Sequence, residues 1–164
     1  MVSHGRGFTL IELMVTIAIL GILLVAGVPL TQAWVNGTQQ RDAGNIVRQA
    51  VDRAKASALR NAGGVIERDK PAVMLCLVDQ RITLARMSRA QSRFDCASAG
   101  ADSVIWSSEL PKRADLQSEE QDFNCLALDN RALPIALKAA GTQCSTSDIL
   151  VKVGKEDALT IKLI

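Results

Sequence analysis

Nucleophilic or metal chemistry in this 164-residue chain can draw on one histidine, His4, and four cysteines, Cys76, Cys96, Cys125 and Cys144. A catalytic thiolate needs a base beside it, and no histidine follows His4 to act as one. Zinc sites need closely spaced ligand pairs, and the chain has no CxxC pair. An even cysteine count reads instead as a disulfide framework of an oxidising compartment. Three connectivities are possible. Cys76–Cys96 with Cys125–Cys144 is preferred, because each bridge closes a loop between neighbouring predicted strands and contributes about 3 kcal/mol by chain entropy. The expectation is a protein that is not an enzyme, with no cofactor, metal or small-molecule substrate.

Charge offers two further clusters. Arg81, Arg86, Arg89 and Arg93 have no acidic residue among them, while Asp115, Glu119, Glu120 and Asp122 form an acidic stretch. Both read as solvated surface or as complementary patches between subunits of an assembly. The formal net charge is only +2, and residues 60–164 carry 14 basic and 14 acidic side chains. Bulk charge therefore excludes a strongly basic nucleic-acid binder.

The elements that carry these residues differ sharply in polarity. Residues 8–30 read FTLIELMVTIAILGILLVAGVPL, with 17 of 23 hydrophobic and Glu12 the only charge. A helix needs roughly 20 apolar residues to cross the hydrocarbon layer, so this run can span a membrane. It is longer than the apolar core of a secretory signal and lacks a small-residue cleavage site. Glu12 is costly in lipid unless paired. Pro29 removes the donor that would bond the carbonyl of Val25, which predicts a kink or local melt.

Beyond residue 30 the helical period persists as an amphipathic stripe: Ala43, Ile46/Val47, Ala50/Val51, Ala54 and Ala58. Gly63-Gly64 ends it, so the spacing predicts a helix over about 8–61. Strand-like runs follow at 72–78, 81–85, 103–107, 123–128, 133–137, 149–153 and 158–164, with turns at Asp129-Asn130 and at 154–157. Residues 88–100 and 111–122 read as exposed loops. A helix followed by antiparallel strands implies an α+β domain whose sheet packs on the amphipathic half-helix.

The string Arg6-Gly7-Phe8-Thr9-Leu10-Ile11-Glu12-Leu13 resembles the class III signal of type IV pilins and type II secretion pseudopilins. The resemblance implies residues 1–7 as a leader, cut between Gly7 and Phe8 by a membrane prepilin peptidase, and N-methylation of Phe8. It implies that Glu12 pairs with the freed amine of a neighbouring subunit, and that Pro29 marks a segment that loosens on filament packing. Residues 8–30 would then be the transmembrane and assembly helix, 31–62 the amphipathic half-helix, and 63–164 a periplasmic β-rich head, in a type IV pilin fold.

VRQAVDRAKASAL at 47–59, VMLC at 73–76 and Trp106 look more narrowly like the GspH/FimT-type branch of minor pilins. That likeness implies a minor pilin that helps initiate or cap type IV pilus assembly; the alternative is a minor pseudopilin of a type II secretion system. Expected partners are other minor pilins, the major pilin, the prepilin peptidase and inner-membrane lipid. The expected location is the inner membrane, single-pass with a periplasmic head, and then the pilus or pseudopilus. Some members of the branch bind DNA, which would give Arg81, Arg86, Arg89 and Arg93 a phosphate-contacting role. Those members carry a basic C-terminal motif, whereas Gly154-Lys155-Glu156-Asp157 is half acidic here, so DNA is not the favoured partner.

Overall fold

A computed structural model describes residues 8–90, 95–96, 103–139 and 141–163. The chain divides into two compact units, Met1–Val35 and Asn36–Ile164. Helix α1 covers Leu10–Arg60.

Its first turn is capped locally. The Thr9 hydroxyl accepts a hydrogen bond from the Glu12 backbone N–H at 3.3 Å, and Leu13 N–H bonds the Thr9 carbonyl at 3.2 Å. Thr-x-x-Glu is the sequence of a capping box, and Glu12 in the first turn also faces the positive end of the helix dipole. The helix continues across Pro29 rather than melting there. Losing one backbone donor leaves the flanking i→i−4 bonds in place. Nearby, the Thr31 hydroxyl adds a second bond to the Gly27 carbonyl at 3.0 Å.

The stop is made by Asn61 rather than by the glycine pair. Asn61 takes a left-handed φ of 44°, its N–H bonds the Ser57 and Ala58 carbonyls, and its side-chain amide exchanges two hydrogen bonds with the backbone of Val65, at 2.7 and 2.9 Å. Gly63 has another task. A Cβ there would lie 1.8 Å from the Met87 carbonyl oxygen, so only glycine lets this loop pass the end of β2 (Arg81–Arg86).

Within the second unit the predicted stripe is the buried face of α1. Ala43, Val47, Ala50, Val51, Ala54 and Ala58 are all at most 2% exposed. Alanines let the backbone approach closely, and at Gly44 a Cβ would sit 2.3 Å from Leu159 Cδ2.

Two four-stranded antiparallel sheets complete this core. The first has the order β3 (Val104–Glu109), β2, β1 (Val73–Val78), β6 (Cys125–Leu128). The second has the order β10 (Leu159–Ile161), β9 (Ile149–Val153), β4 (Ala114–Ser118), β5 (Gln121–Asp122). A short hairpin, β7 (Lys138–Ala139) and β8 (Thr142–Gln143), lies between β6 and β9 in sequence. Period-2 alternation sends Val73, Leu75, Ile82, Leu84, Leu126 and Leu128 into the core that α1 covers. Met74, Cys76, Ala85, Cys125 and Ala127 take the opposite face and form a second, smaller core with Met87 and Cys144. The fold is α+β.

Two sequence expectations are corrected. Residues 111–122 are no loop: they hold β4 and β5, joined by a two-residue turn at Glu119-Glu120. The apolar run 133–137 is no strand: its pairing with β6 is an isolated bridge, Leu128 with Pro134, flanked by bonds from Asp129 N–H to the Leu133 carbonyl and from Ile135 N–H to the Ala127 carbonyl, and Pro134 has no donor for a strand on its other side. The predicted turn at Asp129 is present and carries a buried carboxylate. Asp129 is fully buried; its Oδ1 accepts the N–H groups of Arg131 and Leu133 at 2.9 Å, and its Oδ2 accepts the Arg131 guanidinium at 2.8 and 2.9 Å. Burial pushes its pKa up, but the bonds from Leu133 and Arg131 outweigh that and hold it below the ordinary 3.8.

Candidate functional site

The first candidate is the start of α1. Gly7, Arg6 and His4 lie outside the described residues. Phe8 is 83% exposed and precedes the Thr9 cap. The exposed Glu12 carboxylate has no ion-pair partner among the described residues. From Leu10 to Val25 twelve large apolar side chains are each between 51% and 77% exposed. They occupy every side of the helix, so none of its faces is covered by the described residues. A helix apolar all round is stable only when lipid or other helices surround it. Covering these side chains is worth on the order of 20 kcal/mol.

Among the described residues no helix is long and apolar enough to cross a membrane. The helical part of the apolar run whose side chains are continuously described, residues 10–25, is 16 residues long. That is about 24 Å at 1.5 Å per residue, short of the roughly 30 Å hydrocarbon layer. The membrane reading of 8–30 draws also on residues 26 and 28–30, whose side chains are outside the description.

The second candidate is the arginine cluster, and the structure disperses it. Arg81 pairs with Glu109 on the neighbouring strand, and Arg89 pairs with Glu67 at 3.6 Å, which Lys70 also approaches at 3.7 Å. Arg93 lies outside the described residues. Arg86 has no carboxylate partner among the described residues, and it stands at the opposite end of β2 from Arg81, about 17 Å away by strand rise. The three described arginines are thus not one free basic surface. Arg86 instead joins Arg53 and Arg60 of α1 beside Trp106 of β3. Sequence reading missed that group; its signal was the seven-residue spacing of Arg53 and Arg60, which places both on one helix face.

The cysteines form two disulfides, Cys76–Cys96 and Cys125–Cys144, and no described cysteine is free. Among the described residues no three His, Cys, Asp or Glu side chains converge as metal ligands.

Comparison with known families matches residues 3–28 to the prokaryotic N-terminal methylation motif. The match spans Gly7, Phe8, Glu12 and the apolar run as far as residue 28, and supports a prepilin-type protein, type IV pilin-like or pseudopilin, of the kind that serves as a structural subunit. Comparisons with curated proteins and with solved structures give no match.

Proposed function

We propose that the chain is a minor pilin, a membrane-anchored subunit that helps initiate or cap type IV pilus assembly. The observation that carries this is the start of α1: an all-round apolar helix with one acid, Glu12, in its first turn, lying within the methylation motif matched at residues 3–28. Cleavage before Phe8 leaves a cationic amine there. An unpaired carboxylate in lipid is expensive, so Glu12 acts as a registration device: correct stacking brings it to a neighbour's Phe8 amine and neutralises both charges. Pro29 and Gly27 give the same helix a softened segment for packing among neighbours. The minor-pilin assignment rests on the likeness of residues 47–59, 73–76 and Trp106 to the GspH/FimT-type branch. Two disulfides in the head support an oxidising, periplasmic location.

Mass spectrometry of the membrane-extracted chain tests the reading. The expected mature N-terminus is N-methylated Phe8, present only in cells with an active prepilin peptidase. A mature chain that begins anywhere else overturns it.

A further inference from the structure

Arg53 and Arg60 share one face of the last turns of α1. Arg86, at the end of β2, stands with Trp106 and Ile105 of the edge strand β3 around the same open groove of about 370 Å³. The Arg53 guanidinium lies 5.2 Å from the centroid of the Trp106 ring, a cation–π contact that fixes both. Among the described residues no carboxylate lines the groove, and none of the three arginines has an ion-pair partner. Three guanidinium groups around one hollow repel each other, and an anionic occupant relieves that repulsion. The floor is apolar, with Ile105 44% exposed. It suits a carboxylate carried on methylenes better than a free ion.

The same compact unit carries the complement. The β4–β5 hairpin turns through Glu119 and Glu120, at φ of 53° and 63°, where asparagine or glycine is the low-strain choice. The turn is held from below: the Ser118 hydroxyl, 6% exposed, meets the Ser145 hydroxyl and the Ser147 and Asp148 carbonyls, and Ser147 Oγ donates to Glu119. Asp115 and Asp122 flank it, and all four carboxylates are exposed and without an ion-pair partner among the described residues. Two acids therefore sit at a rigid tip where the backbone disfavours them.

We propose that the Arg53–Arg60–Arg86–Trp106 groove receives the Glu119-Glu120 turn of a second copy of this chain. Groove and turn are different patches, so a one-way contact between them is heterologous and leaves one of each free for the next subunit, as a filament requires. The inference rests on the assembly reading above and gives it a contact between heads, separate from the N-terminal helix. Nucleic acid fits less well, because balanced charge over residues 60–164 offers phosphates no net attraction.

The test uses the full chain in membranes of cells that process it, with the photo-crosslinker p-benzoylphenylalanine in place of Ala56, an exposed residue of the groove wall. The expected product is a dimer of this chain, with position 56 joined to the peptide that holds Glu119 and Glu120. Arg86→Glu should lower its yield by about tenfold or more, and adding Glu120→Arg to the same chain should restore it. Crosslinks only to other proteins or to nucleic acid, or a yield indifferent to Arg86→Glu, overturn the proposal. If Phe8 is still the N-methylated first residue when the dimer fails, only the head contact is lost. A chain that is never processed defeats the assembly reading itself.

Discussion

Cys76 and Cys125 stand directly opposite each other across the β1–β6 ladder, yet each is bonded elsewhere, Cys76 to Cys96 and Cys125 to Cys144. Opposed residues of an antiparallel pair point to the same face, so both bridges share the small core with Met74 and Ala127. Each fastens a loop to that face of the sheet.

This juxtaposition predicts a replacement bond. Cα atoms of opposed antiparallel residues lie about 4.5–5.5 Å apart, within disulfide range. The double variant Cys96→Ser/Cys144→Ser should therefore oxidise to a Cys76–Cys125 bridge, read by mass spectrometry of a non-reducing digest. Two free thiols after air oxidation would contradict it.

Gly63→Ala should destabilise the head by about 3 kcal/mol, because the new Cβ meets the Met87 carbonyl oxygen at 1.8 Å and backbone must shift. Gly64→Ala has open space around it and faces only the strain of φ 67°, so about 1 kcal/mol is expected. Urea unfolding of the two variants checks the order. Equal losses would mean that the loop yields at no cost.

Acid should weaken the head through Asp129. Its native pKa lies below the unfolded value of 3.8, so the native state binds its proton less readily. The stability this contributes is fully present above about pH 4 and is lost as pH falls through the lower native value. Thermal unfolding between pH 7 and pH 2 should show the fall. Asp129→Asn should be less stable at pH 7 and show a shallower fall, since Asn keeps an acceptor for Arg131 and Leu133 N–H but loses the ion pair.

Much of this architecture can be read from local pattern. The α1 stripe and the alternating β9 are single-period elements, and their buried residues appear where the period puts them. Strands β4 and β5 were hidden because ADLQS offers only Ala114, Leu116 and Ser118 to the core, and because their turn is Glu-Glu rather than a glycine or asparagine pair. Residues 133–137 misled in the opposite sense, being apolar enough for a strand but carrying Pro134. Phe8 and Glu12 were legible because their motif is contiguous. The state of Arg81 and Arg89 was not, since Glu109 and Glu67 reach them from 28 and 22 residues away.

On the assembly reading, Gly7→Ala should leave an unprocessed chain in the membrane, seen as a mass larger by residues 1–7. Glu12→Val should be processed normally yet be missing from purified filaments or tip complexes. Normal incorporation of Glu12→Val would sink the charge-pairing role.

Thr9 completes the N-terminus of α1 with its own hydroxyl, and everything that cap uses lies at or after residue 9. On the assembly reading, removal of residues 1–7 would change the charge and length of the chain and leave each group of that cap in place. Processing between Gly7 and Phe8 would then be uncoupled from the capping of this helix, because Thr9 and Glu12 both lie beyond the cut.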